Sequence, residues 1–155
     1  MNEKIDPVVK TKMLFRVPVD RLFEAIVNPE ITTRFWFTHS SGPLVAGEMV
    51  TWEWRMFGVA TRVEVLQIEP SQKVVMTWGE SGKRSTVEWD FTKHGESASV
   101  LEVTTYGFSG TDEAIINEAI DVSGGFALVL ANAKAWLEHG IELQLIADRF
   151  PAEPA

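Results

Sequence analysis

The sequence contains no cysteine. That absence removes disulfides, thiolate nucleophiles and cysteine-ligated metal sites together. Basic charge is also short: 14 Lys and Arg stand against 22 Asp and Glu, a net charge of −8. Nucleic-acid binding needs a basic footprint, and an acidic chain does not supply one. The same balance argues against anionic membranes as partners. No apolar run approaches the ~20 residues of a membrane span, and MNEKIDPVVK has no apolar signal-peptide core. A cytoplasmic protein is therefore expected, with a charged, solvated surface.

Chemical motifs are equally scarce. There is no Gly-x-Ser-x-Gly elbow, no P-loop and no dinucleotide-type glycine fingerprint. His39, His94 and His139 form no metal-ligand spacing, so neither a metal nor another cofactor is expected. His94 falls in a turn and His139 at a helix C-terminus, where it meets the helix dipole. Only His39, which follows Trp36 and Phe37, is a candidate acid or base. Glu53, Glu64, Glu88, Asp90 and Glu102 all fall on the outward face of strands, where surface ion pairing is their ordinary role.

What the chain does have is bulk. Its 155 residues suit one domain, spanning residues 1–155 with a core from about 8 to 140. Six Trp and nine Phe against one Tyr promise a large aromatic core. Alternation marks a first strand over Val8–Val17, with Val9, Thr11, Met13 and Phe15 on one face. Pro18 breaks the ladder and opens a short amphipathic helix carrying Val19, Leu22, Phe23 and Ile26. Asn28-Pro29 caps a second short helix, expected to run to about Trp36.

Strands follow. Glu48–Met56 places Val50, Trp52, Trp54 and Met56 on one face. Val59–Glu69 comes next, with Thr61, Val63 and Val65 together. Lys73–Trp78 aligns Val74, Met76 and Trp78. Arg84–Thr92 aligns Val87, Trp89 and Phe91, and Val100–Tyr106 aligns Leu101, Val103 and Thr105. Short turns connect them, which is the pattern of an antiparallel meander with one dry face. The cover for that face is a helix of about 28 residues, roughly 42 Å long at ~1.5 Å per residue. It starts after Ser109-Gly110-Thr111, with Asp112 and Glu113 in its first turn, and stops at Gly140. One stripe runs Ile115, Ala119, Val122, Phe126, Val129, Ala133 and Trp136; another runs Ile116, Ile120, Ser123, Leu130 and Leu137. Gly124-Gly125 interrupts it, implying either tight packing over bulky sheet residues or a hinge over a pocket. Pro151–Ala155 reads as a loose tail.

The fold class is thus α+β: a curved antiparallel sheet wrapped around a long C-terminal helix, with two short helices after the first strand. This is the helix-grip arrangement. The segment VPVDRLFEAIVNPEITTRFWF resembles the opening of proteins related to the activator of the heat-shock-protein-90 ATPase, within the START-like (SRPBCC, birch-pollen-allergen-like) superfamily. VEVLQIEPSQKVVMTW is similar to that family's strand, proline turn and Trp-ending strand, and GGFALVLANAKAWLEHG to its closing helix. The resemblance implies a hydrophobic cavity between sheet and helix, in a family whose members are binders, cyclases, lyases or chaperone cofactors. The eukaryotic cochaperones carry an additional N-terminal domain that grips the chaperone. Only residues 1–7 precede the first strand here, so activation of that chaperone is not expected.

Trp36, Trp54, Met56, Met76, Trp78, Trp89 and Phe126 are the candidate ligand-binding residues. Either they fill the core, or they line a cavity for a flat apolar or aromatic small molecule. Binding is the first expectation. A protein-interaction or chaperone-cofactor-like module, with a homodimer allowed, is the second. A cyclase, hydrolase or lyase using His39 or a buried acid is the third.

Overall fold

A computed structural model describes residues 4–154. The first three residues of MNEKIDPVVK, and Ala155 at the end of the expected tail, lie outside that range. Seven strands form one antiparallel sheet in the order β1-β7-β6-β5-β4-β3-β2. They are β1 (Val9–Phe15), β2 (His39–Ser40), β3 (Met49–Trp54), β4 (Val59–Glu69), β5 (Lys73–Trp78), β6 (Ser85–Lys93) and β7 (Ser99–Tyr106). The meander runs β2 to β7 by nearest neighbours, and β1 closes the far edge against β7, Val9 opposite Thr105 and Phe15 opposite Ser99.

Alternation in the sequence becomes alternation in burial. Val50, Trp52 and Trp54 of β3 point inward, as do Val87, Trp89 and Phe91 of β6 and Leu101, Val103 and Thr105 of β7. In β4 the register slips between Val65 and Gln67. One extra residue in a strand is a bulge, which bends the sheet and reverses the parity beyond it. Leu66 is accordingly exposed, and Ile68 rather than Gln67 packs on the core. On the wet face Lys73 pairs with Glu88 at 3.0 Å and Asp90 at 3.5 Å, and Lys10 with Glu102 at 3.9 Å.

The two short helices are α1 (Val19–Val27) and α2 (Pro29–Thr32). Asn28 ends the first and caps the second, its side chain accepting from the Glu30 N–H. The second helix stops well before the expected Trp36. Trp36 and Phe37 are consecutive and both buried. Neighbours on a helix point about 100° apart, so the chain leaves the helix and turns both rings into the core.

The β3 strand is also shorter than the alternation suggested. It ends at Trp54, and Arg55–Phe57 form a 3₁₀ turn closed by Gly58 in the left-handed region at φ 63°. That turn rotates Met56 out of the inward parity, leaving it 44% exposed.

The long helix α3 occupies Asp112–His139. The Thr111 side chain accepts from the Ala114 N–H, and Gly140, left-handed at φ 66°, returns its N–H to Trp136 O at 2.8 Å. By length and mean hydropathy α3 is apolar enough to cross a membrane, although no uninterrupted apolar run suggested it. In this fold it is the core helix: Phe126, Val129, Leu130, Ala133 and Leu137 are buried. Ile116 and Ile120, which the second stripe placed inward, are exposed. Close packing of α3 runs along β1. Lys134 Nζ donates to Leu14 O at 2.8 Å, and the Arg16 N–H donates to Glu138 Oε2 at 3.0 Å. Lys134 also pairs with Glu138 at 2.6 Å, one turn along the helix.

A fourth helix, α4 (Leu145–Arg149), follows after Gly140 and has no counterpart in the sequence reading. Asn132 anchors it. This buried amide donates to Phe35 O at 2.9 Å, while its oxygen lies 3.4 Å from the Leu145 N–H.

Candidate ligand pocket

The helix hugs the sheet at β1 and departs from it towards β3 and β5. In the gap the structure has a pocket of ≈ 300 Å³. Trp36, Trp54, Trp78 and Phe126 form its aromatic wall. Trp36 is the hub: its ring lies 6.1 Å from Trp54, 5.8 Å from Trp78 and 5.8 Å from Phe126. Trp78 and Phe126 stack at 5.8 Å with 24° between planes. Rings held edge-on and stacked by their neighbours make a rigid, preformed surface.

The other candidates lie elsewhere. Met76 and Trp89 are fully buried and belong to the core beneath that wall, Trp89 packing edge-on to Phe126 at 5.4 Å. Met56 borders a separate cleft with Thr33, Phe37 and Gln144. His39 is not at the pocket mouth. It sits in the short edge strand β2, opposite Glu53, with Nε2 3.7 Å from the Glu53 carboxylate. Among the described residues no three His, Asp or Glu side chains are grouped to hold a metal ion.

Several lining residues escaped the sequence reading: Asp121 from α3, and Ile146, Arg149 and Phe150 from the C-terminal segment. Gly125, singled out in sequence with Gly124, lines the pocket as well. The glycine pair explains part of this arrangement. A Cβ on Gly124 would come within 2.9 Å of the Arg149 guanidinium, so the bare backbone lets that group lie against α3. A Cβ on Gly125 would meet nothing within 4 Å, because that position faces the open pocket. The helix runs through both without interruption.

A second, more open recess of ≈ 550 Å³ adjoins the first and shares Trp54, Trp78, Asp121 and Phe150 with it. It adds Phe57, Gly79 and Glu118. Burial is the main influence on Glu118 and pushes its carboxyl above the usual range; Asp121 adds to the shift and Lys83 opposes it.

This fold and pocket define a helix-grip protein of the START-like (SRPBCC) superfamily. The chain belongs to the family described as activator of Hsp90 ATPase homolog 1-like protein, which matches residues 16–138. Solved structures agree. The protein SSP2350 from Staphylococcus saprophyticus shares 26% identity at a TM-score of 0.75, covering 88% of this chain and 96% of its own. The Aha1 dimer from Colwellia psychrerythraea superposes at 0.72 with 13% identity, over 86% of this chain and 98% of that one. PFC0360w, described as an HSP90 activator from Plasmodium falciparum, superposes at 0.67 with 18% identity, over 86% and 96%. No relative was found among curated proteins.

Proposed function

We propose that this protein binds an apolar or aromatic small molecule in the pocket between α3, the ends of β3 and β5, and the C-terminal segment. The aromatic wall carries the reading: Trp36, Trp54, Trp78 and Phe126 converge on an open volume that their own side chains leave unfilled. Its size is at the lower end of the ~300–1,000 Å³ typical of ligand sites. Native mass spectrometry of freshly purified protein, set against a denatured sample, is the test. A reproducible small mass lost on denaturation supports the reading. Bare protein, together with no thermal shift from a panel of apolar compounds, would overturn it.

The second reading is an interaction module of the chaperone-cofactor kind. The family match and the Plasmodium neighbour favour it, as does the exposure of Ile116 and Ile120 on α3. A homodimer belongs with this reading, given the dimeric Colwellia neighbour. Light scattering on the wild type and on Ile120→Glu separates the cases: a dimer split by the substitution supports an interface there, and a wild-type monomer rejects the homodimer. Stimulation of a purified heat-shock-protein-90 ATPase tests the chaperone partner.

A further inference from the structure

The pocket has two chemically different halves. Its inner part is walled by aromatic rings. The adjoining outer recess adds Phe57 and presents the carboxylates Glu118 and Asp121, and no Lys or Arg lines it. Three residues apart on α3, these two acids are neighbours on one helical face. Among the described residues neither has a cationic partner within 4.0 Å.

We propose that the molecule bound here is a cation on an apolar or aromatic body, an ammonium compound whose body fills the inner part and whose charge sits between Glu118 and Asp121. This rests on the small-molecule reading above and names the ligand class for that pocket. Three observations converge on it. The Trp54, Trp78 and Phe150 faces border the same recess as the carboxylates, and aromatic faces attract cations through their quadrupole. Glu118 is partly withdrawn from water by its apolar surroundings, so a ligand cation there restores an electrostatic partner that solvent supplies poorly. The chain as a whole carries −8, which draws cations towards a cleft lined by acid.

Two cations oppose the reading: Lys83, which acts on Glu118 from beyond ion-pair distance, and Arg149. Arg149 lines the inner part at the rim, lying against Gly124 with its guanidinium carbon 5.4 Å from the Phe150 ring. A cation therefore already rests on aromatic surface at this mouth. An anionic ligand attracted by Arg149 would have Asp121 beside it, since that residue lines both parts.

The test uses three probes with one ring system: naphthylmethylamine, naphthylmethanol and naphthoate, titrated calorimetrically into the full chain. The amine is expected to bind roughly tenfold more tightly than the alcohol, the scale of a partly desolvated cation on aromatic and carboxylate groups. Naphthoate is expected to bind least. In the Glu118→Gln, Asp121→Asn double variant the amine should lose its advantage over the alcohol, and an unchanged far-ultraviolet circular dichroism spectrum shows that the variant is folded. Equal or tighter binding of the alcohol or naphthoate to wild type overturns the inference and leaves the pocket reading standing. So does an amine preference that survives in the variant. Binding of none of the three overturns both.

Discussion

Replacing Gly125 by Ala is expected to stabilise the protein. Gly125 lies inside α3, without a positive φ, and an added Cβ would meet nothing within 4 Å. Glycine in a helix interior is less favourable than alanine by about 0.5–1 kcal/mol, because it loses more backbone freedom on folding. With no steric cost to set against it, most of that difference should appear as stability. For a chain of this length about 1 kcal/mol corresponds to roughly 2–4 °C in the unfolding midpoint. Urea denaturation followed by Trp fluorescence measures it, with a higher midpoint and an unchanged slope. Gly124→Ala is the matched control. There the Cβ would lie 2.9 Å from Arg149 Nη1, so the gain should be smaller, offset by displacement of that side chain. A Gly125→Ala protein that is less stable than wild type would refute the reasoning, since it would mean that the position is not open helix facing a pocket.

Thr105 is fully buried on the dry face, and its hydroxyl has no hydrogen-bond partner. Thr105→Val removes an unsatisfied polar atom at nearly constant shape, so chemical denaturation should show neutral to roughly 1 kcal/mol stabilising behaviour; a clear loss would mean that the hydroxyl is satisfied. Burial pushes the Glu138 carboxyl up, but Lys134 and the Arg16 N–H and charge outweigh it and hold it below the usual carboxylate range. Its contribution is therefore fully present above the unfolded-state pKa and lost as pH falls through the folded-state one. Glu138→Gln should remove that part of the acid limb in a pH series of melting temperatures, and an unaltered acid limb would reject the assignment. Trp89→Ala should cost about 3–5 kcal/mol as a core cavity. Trp78→Ala, at a half-buried wall position, should cost less while abolishing ligand binding; equal losses of stability would contradict the division of the aromatic set into core and wall.

Six of the strands were legible because half-buried antiparallel strands write their burial directly as alternation, and each turn is marked by Gly, Pro or a polar cluster; β2, only two residues long, is too short to show any alternation. The long helix was legible for a related reason: Thr111, Asp112, Glu113 and Gly140 label its ends, and those are the ends found. Met56 was misplaced because alternation cannot show where a strand stops. Gly58 could be read as a turn, but not that three residues before it would be drawn into a 3₁₀ turn. The five residues of α4 are too few for a helical period. Asn132 lies between Ala131 and Ala133 and on neither apolar stripe, and its meaning depends on Phe35 and Leu145, 97 and 13 positions away. The glycine pair was conspicuous in sequence, yet its reason is the Arg149 side chain, which no local pattern connects to it.

Parity identifies the face of a sheet on which a side chain lies, but not its distance from the helix above. Trp52, Trp54, Met76, Trp78 and Trp89 all share the dry face, and the sequence offers no ground for separating them. Their positions along the strands do. Trp54 and Trp78 are the last residues of β3 and β5, where the chain turns away and α3 has left the sheet. Trp89 is the middle residue of β6, and Met76 and Trp52 are also interior to their strands. Interior side chains are enclosed on every side and become core; the terminal rings, though packed against other rings, keep part of their surface on the pocket and become wall. Trp36 joins them because the early end of α2 drops it into the same gap. The open side is then bounded by Ile146, Arg149 and Phe150, so the reach of the aromatic surface is set by the sheet while access to it is set by the segment beyond Gly140.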